Sequence, residues 1–431
     1  MKIKIKILMF GVFTVGLQIL DPTAHAQVTN SLGQAYTIVD LGILPGGPND
    51  SSALAINNAG QVVGQSFVSA PSYYKSFVWD AINGISDLGV LSGDNTTVAA
   101  SINNNGQVVG YCGDGTYGDF QAAQWNSASG LQPLGYGALA GYPYFAALAI
   151  NDGGAITYIN WNYYGPPSAA YLLLGAIETP IGGLYPGAYT WPYALNNSNE
   201  VVGASYNASQ TIGQAFLWTS SQGVNGLGFL PGYTNSIAKA INDAHQVVGY
   251  CNNSGGGQSS FIWTSETGMT ALDCSIGSNS CANGISPDGI VVGYNQIGGT
   301  NHAVAWPPGQ NAVDLNTLVT NLSGWINLTE ANAMNSSGLV VGDGIRTNGV
   351  RHGFILYPTT VPLTVNIKTF AGIIISNALP GSTVVIQATS NLAATNWVTL
   401  TNVMIPSQQY IFIDYNSPFN PSRFYRVFTK Q

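Results

Sequence analysis

The chain is a succession of short runs rich in Val, Ile, Tyr and Thr, broken by Gly, Asn and Pro, with no amphipathic helical segment of useful length. That pattern predicts an all-β protein. One phrase recurs: a short apolar run, an Asn/Gly turn, then Val-Val-Gly. It reads ALAINNAGQVVG (Ala53–Gly64), AASINNNGQVVG (Ala99–Gly110), YALNNSNEVVG (Tyr193–Gly203) and AKAINDAHQVVG (Ala238–Gly249). Further copies are ANGISPDGIVVG (Ala282–Gly293), ANAMNSSGLVVG (Ala331–Gly342) and the degenerate ALAINDGGAITY (Ala147–Tyr158). The copies end at 64, 110, 158, 203, 249, 293 and 342, spaced by 46, 48, 45, 46, 44 and 49 residues. That spacing is the length of a four-stranded propeller blade.

Each repeat reads as four strands. The ALAIN-type run is the first. Asn-Asn-x-Gly supplies a tight hairpin, because Asn and Gly tolerate positive φ, and QVVG is the second. The third ends in Trp: SFVW (Ser76–Trp79), AAQW (Ala122–Trp125), AFLW (Ala215–Trp218), SFIW (Ser260–Trp263) and AVAW (Ala303–Trp306). The third repeat carries AAYLLL there and the seventh GFILY. The fourth strand ends in a corner such as ISDLG (Ile85–Gly89) or AVDLN (Ala312–Asn316). Repeat seven has no fourth strand, while YTIVDLG (Tyr36–Gly42) is a fourth strand with no repeat before it. The expected fold is a seven-bladed β-propeller over 27–358, closed by its N-terminal strand. Closure removes edges that invite aggregation. An open solenoid is the alternative, and the complementary ends argue against it. The recurring Val-Val, Phe and Trp positions are expected to fill the space between blades.

The repeats, from Tyr36 to about Tyr357, resemble the extracellular HAF-repeat family, named for a His-Ala-Phe run opening the third strand. His302-Ala303-Val304 and His352-Gly353-Phe354 come closest here. The resemblance implies a secreted propeller-like protein and no particular activity.

Residues 359–431 break the pattern. LTVNI, GIIIS, STVVIQAT, NWVTLT, YIFIDY and RFYRVF read as six short strands, which suggests an immunoglobulin- or fibronectin-like β-sandwich. The segment is similar to C-terminal modules of large secreted bacterial proteins in Ser390, Asn391, Leu392, Asn396, Trp397, Asp414, Phe424, Tyr425 and Arg426. A spacer role and a surface-retention role both fit.

At the other end, Lys2, Lys4 and Lys6 precede an uncharged apolar stretch, Ile7 to Leu20, and Ala24-His25-Ala26 has the form of a cleavage site. Residues 1–26 therefore read as a signal peptide, with the mature chain starting at Gln27. No later segment is apolar enough to span a bilayer. A secreted, cell-surface or periplasmic address follows. Removing Lys2, Lys4, Lys6 and Asp21 from 11 basic and 19 acidic side chains leaves 8 and 18, a formal charge of −10. Such a surface argues against nucleic acid as a partner.

Export permits disulfides. Cys274 and Cys281 flank a short Gly/Ser-rich loop and are expected to pair. Cys112 and Cys251 hold equivalent positions three repeats apart and are expected to be free and mostly buried. No Cys-x-x-Cys occurs and His245, His302 and His352 fall in different repeats, so no metal or other cofactor is expected. Asp40, Asp87 and Asp314 recur at the fourth-strand corner, which suggests backbone capping. No catalytic set is recognisable; Asp94, Asp114, Asp119 and Glu178 are the acids that a glycosidase-like site would draw on.

Propeller topology puts the connections between repeats and the strand 2–3 loops on one face, which is aromatic here. Tyr142, Tyr144, Trp161, Tyr163, Tyr164, Tyr185, Tyr189, Trp191 and Tyr233 are the candidate ligand-binding residues. Flat rings with few charges suit stacking on a glycan or envelope polymer. Three classes stay open. They are a monomeric binding module for polysaccharide or another envelope component, a structural surface protein, and a carbohydrate-active enzyme.

Overall fold

The computed structural model describes residues 32, 35–46, 50–69, 72–114, 120–134, 144–162, 165–359, 364–369, 372–376, 382–389, 397–404, 409–413 and 424–429. The expected signal peptide lies outside them. The chain divides into one compact unit spanning Asn30–Pro358 and a second that contains Thr359–Gln431.

The first unit is a β-propeller built from four-stranded antiparallel groups. The first group is Ser51–Ile56, Val62–Ser69, Ser72–Asp80 and Gly84–Asp87, hydrogen-bonded in chain order. The same order repeats over 96–133, 144–180, 189–228, 235–271 and 280–314. A single parallel bridge, Tyr144 to Phe120, joins the second and third groups. In the last group Trp325–Met334, Val340–Arg346 and Arg351–Pro358 take their fourth strand from Tyr36–Asp40. The pairing runs from Tyr36 opposite Pro358 to Asp40 opposite Phe354. The chain's two complementary ends thus meet in one sheet.

The recurring phrase has a physical cause. Every first strand carries a register shift at the equivalent place, between Ala53 and Ala55 in the first group and between Ala238 and Ala240 in the fifth, and Trp325–Met334 has two more. In every group but the third, a first-strand carbonyl lies against the last residue of Val-Val-Gly. A Cβ on Gly64 would lie 2.0 Å from Ser52 O, and one on Gly249 1.9 Å from Ile237 O. Only glycine fits. The third group has the same register shift, between Ala147 and Ala149, yet Tyr158 stands at the glycine position, fully buried, edge-on to Phe145 and stacked on Tyr171 at 5.0 Å. It is therefore the close carbonyl, and not the bulge alone, that requires glycine in the other groups.

The hairpin asparagine links neighbouring groups. Asn57 Oδ1 accepts from Ala59 N (3.1 Å) and Gln61 N (2.9 Å), while its Nδ2 donates to Asn103 O in the next group (3.1 Å). Asn103 donates likewise to Asn151 O, Asn151 to Asn196 O, Asn196 to Asn242 O, and Asn242 to Ser286 O. Asn335 donates back to Asn57 O at 3.0 Å. The position needs an acceptor and a donor together, which an amide has and a carboxylate lacks. The first strands pack against one another in this same cyclic order, with Trp325–Met334 against Ser51–Ile56.

The core lies between neighbouring sheets. Phe77, Phe216, Phe261 and Phe354 are fully buried, and so, nearly, are Trp79, Trp218 and Trp306. Each such side chain contributes roughly 1.5–3 kcal/mol before conformational entropy is subtracted. At the corners, Asp40 accepts from Gly42 N (2.9 Å), Asp87 from Gly89 N (2.7 Å) and Asp314 from Asn316 N (2.9 Å), as capping requires.

The cysteines divide. Cys112 and Cys251 are free and buried. Cys251 Sγ accepts from Leu230 N (3.4 Å), where Ser66 and Ser205 accept from Leu44 N and Leu184 N in their own groups. The expected Cys274–Cys281 disulfide is absent, since both thiols are free. Cys274 Sγ lies 2.9 Å from Ser280 Oγ, whereas Cys281, the next residue along the strand, turns to Asn283 Oδ1 at 3.3 Å. Successive strand residues point to opposite faces, so one thiol follows Ser280 and the other faces away.

In the second unit, Thr364–Thr369, Gly372–Ser376 and Gln409–Ile413 form one three-stranded antiparallel sheet. Thr383–Thr389 lies between Val398–Met404 and Phe424–Thr429 in another. Arg426 packs its guanidinium 4.4 Å from the Trp397 ring and donates to Gln387 Oε1 at 2.7 Å, which gives two residues of the C-terminal pattern a packing role.

Candidate functional site

Of the candidate aromatics, Tyr185, Tyr189, Trp191 and Tyr233 have described side chains, on the connections and first strands of the fourth and fifth groups. Tyr142, Tyr163 and Tyr164 lie outside the described residues. Tyr144 and Trp161 are paired in the backbone register of the first and second strands of the third group. Tyr185 sits half-buried on the connection into the fourth group, its hydroxyl 3.3 Å from Gln214 Oε1. Tyr189 opens the next strand opposite Tyr206. Trp191 stacks on Tyr193 with ring centroids 6.4 Å apart, and Lys239 Nζ lies 5.5 Å from the Tyr193 ring. Tyr233 packs against the core cluster of Leu230, Ala238 and Phe261.

Tyr185 lines a groove of about 270 Å³ between the third and fourth groups. One wall is Ala169, Ala170 and Tyr171 of strand Gly165–Leu174, with Pro180 beside them. The other is the connection itself, Gly182 to Ala188, and Thr190. That connection is held in shape. Leu184 N donates to Ser205 Oγ (2.9 Å) and Ala188 N to Tyr185 O (3.1 Å). Gly182 (φ 76°) and Gly187 (φ 65°) take the left-handed turns that side chains disfavour. Tyr171 is fixed from behind by its stack on Tyr158. Burial raises the Tyr185 phenol above its ordinary value, so it stays a neutral donor and acceptor at neutral pH.

The repeats act as controls for this groove. The connections beginning at Gly42, Gly89, Gly182 and Gly228 all start with positive φ. The next residue is Ile43, Val90 and Phe229 in three of them and Gly183 in the fourth. A Cβ on Gly183 would lie 2.5 Å from Ala188 Cβ and 2.8 Å from Thr190 Oγ1, so the bulky apolar residue of the other connections has no room here. Two positions on, Tyr185 stands where Pro45, Ser92 and Pro231 stand. The tyrosine wall was legible in sequence only as the AAYLLL departure: Tyr158 and Tyr171, both off the repeat pattern, are cross-strand partners.

A second cavity of about 270 Å³ lies on the ring axis at the Asn/Gly hairpins. Its polar groups are engaged with one another. Asn58 N donates to Asn104 Oδ1 (2.8 Å), Asn104 N to Asp152 Oδ1 (2.8 Å), Asp152 N to Asn197 Oδ1 (3.0 Å) and Asn197 N to Asp243 Oδ1 (2.8 Å). A ligand there has to displace hydrogen bonds that already exist, each of net worth about 0.5–1.5 kcal/mol. The ring is accounted for as structure.

Of the acids noted in sequence, Asp94 accepts from Gln121 Nε2 (2.9 Å) and Asp114 O accepts from Asn95 Nδ2 (3.0 Å), both in the second group. Glu178 is exposed on strand Ile177–Pro180 of the third, and Asp119 lies outside the described residues. Among the described residues no three His, Cys, Asp or Glu side chains gather as metal ligands. No helix among them is long and apolar enough to cross a membrane.

No family model and no curated protein matches the chain. Among solved structures it is similar to the β-propeller domain of the Trilobed protease from Pyrococcus furiosus, at 8% identity and a TM-score of 0.49, over 75% of this chain and 95% of that one. It is similar to virginiamycin B lyase from Staphylococcus aureus at 9% identity and 0.48, over 75% and 99%. It is also similar to TolB from Acinetobacter baumannii, at 11% and 0.39, over 72% of this chain and 64% of the length of TolB. With scores below 0.5, the fold assignment rests on the strand pairing above.

Proposed function

We propose that this chain is a secreted or surface-exposed, non-enzymatic binding module: a seven-bladed propeller that captures glycan or a related envelope polymer on its connection face. The groove beside Tyr185 carries this reading. It is open, its lining is uncharged, and it sits where one connection departs from the shared pattern by losing a bulky apolar residue and gaining a tyrosine. Tyrosine joins apolar area to a polar handle, which suits it to sugar rings. The HAF-type repeats and the signal-like residues 1–26 support an extracellular address. The two three-stranded sheets of the second unit support a sandwich that acts as spacer or retention module.

The test is capture of polysaccharide from a cell-envelope preparation, together with a glycan array, using the full chain and its Tyr185→Ala and Trp191→Ala variants. Loss of capture in Tyr185→Ala with an unchanged melting temperature is expected. Capture equal to that of the parent protein in both variants rejects the face.

A further inference from the structure

We infer that the groove between the third and fourth groups is a subsite for an N-acetylated hexosamine unit of a polymer. This rests on the binding reading and names its ligand class. Three observations select the chemistry. First, no charged side chain lines the groove, so a neutral sugar is favoured over a uronic acid or an amine. Second, the floor and wall include the methyl groups of Ala169, Ala170 and Ala188. Third, the half-buried Tyr185 hydroxyl, oriented by Gln214, supplies a polar handle.

The sign of the contact then separates two classes of glycan. A methyl group placed against the alanine wall gains by burying its apolar carbon. A hydroxyl in the same place has no partner on the alanine side chains and loses its hydrogen bonds to water. An acetamido substituent delivers a methyl to that wall while its amide keeps the polar edge available to Tyr185. A glucan brings a hydroxyl instead. Tyr171, pinned by Tyr158, and Tyr185 offer the rings for the sugar's apolar face. The groove's volume, about 270 Å³, is just below the roughly 300 Å³ at which drug-sized pockets begin. It suits one sugar ring of a chain whose remainder runs over the surface.

The experiment titrates the full chain with the hexamer of β-1,4-linked N-acetylglucosamine and, separately, with cellohexaose, which has the same backbone without the acetamido group. The expected result is binding of the first and at least tenfold weaker binding of the second. Ala188→Leu, which fills the groove, is expected to weaken binding of the acetylated hexamer at least tenfold. Tyr185→Ala guards against a folding failure in Ala188→Leu and is expected to give the same loss with an unchanged melting temperature. Equal affinity for the two hexamers, or a folded Ala188→Leu that binds like the parent, overturns the subsite while leaving the binding module standing. If neither hexamer binds but envelope polysaccharide is still captured, the subsite alone fails. If nothing is captured, both fail.

Discussion

Asp40 accepts a hydrogen bond from His352 Nδ1 at 2.8 Å, joining the first strand of the propeller to the last across 312 positions of sequence. Arg346 Nε lies 3.3 Å from the same carboxylate, and Arg351 meets Asp50 at 3.2 Å. A chain with few charges has placed these ion pairs where its ends meet. Burial raises the Asp40 carboxyl. Against that, the His352 and Gly42 hydrogen bonds and the charges of His352 and Arg346 bring it below the ordinary aspartate value. A carboxyl depressed in the folded state stabilises in full above its unfolded value, about 3.9, and loses that contribution as pH falls through the folded value. Asp40→Asn is expected to cost about 1–2 kcal/mol at pH 7 and almost nothing at a pH low enough to protonate the folded carboxyl. Urea denaturation at the two pH values measures this, and hydrogen exchange at residues 36–40 shows whether the strand is what loosens.

The same seam contains a carboxyl shifted the other way. Asp343 is buried and accepts from Ser52 Oγ (2.8 Å) and Ala53 N (3.1 Å). Burial pushes it up to about 7, outweighing the Ser52 bond, the Arg351 charge and the Ala53 bond, with Glu330 adding to the rise. A folded value above the unfolded one stabilises fully below about pH 4, and that contribution is lost as pH rises toward 7. Melting temperature is therefore expected to fall between pH 4 and 7. In Asp343→Asn that slope should flatten, and the variant should melt above the parent at pH 8. A parent protein whose melting temperature rises across that interval contradicts the assignment.

The free thiols make a chemical prediction. Burial raises the Cys281 thiol to about 12, more than the Lys239 charge lowers it, so it is a poor nucleophile at neutral pH. Cys274 is half-exposed. Alkylation of the folded chain without reductant should label Cys274 and spare Cys112, Cys251 and Cys281. Denaturation without reductant should release all four. A protein that takes up only two labels when denatured, and two more after reduction, restores the disulfide.

Much of the fold was legible because a repeat averages away local ambiguity. The ALAIN runs, the Asn/Gly turns and the lone YTIVDLG strand fall where the pairing places them. Side-chain direction was not legible. Cys274 and Cys281 looked like the ends of one loop, and only the strand starting at Ser280 shows that they diverge. Tyr233 looked like its neighbours on the aromatic face, yet it packs against the core. The groove was half visible: Tyr185 stood out as an aromatic, but Tyr171 registered only as a break in the pattern. Its partnership with Tyr158 depends on cross-strand register, which a lone degenerate copy does not fix.

A close first-strand carbonyl explains a motif that sequence alone leaves as a mere regularity, and it yields the sharpest test. Gly110, Gly203, Gly249, Gly293 and Gly342 each sit with a first-strand carbonyl oxygen within 2.0 Å of where a Cβ would be. Such a contact is relieved only by moving backbone, because the clashing atom is part of the strand. Overpacking against side chains costs about 1–3 kcal/mol, and a clash with backbone belongs at or beyond the top of that range. Gly249→Ala is therefore expected to destabilise by about 3 kcal/mol or more. Gly256→Ala is the contrast: it is strained by its φ of 80° but has nothing within 4 Å of a Cβ, so a cost of about 1–2 kcal/mol is expected. Equilibrium unfolding of both variants separates the two causes. If Gly249→Ala is the milder, the close carbonyl does not explain the glycine.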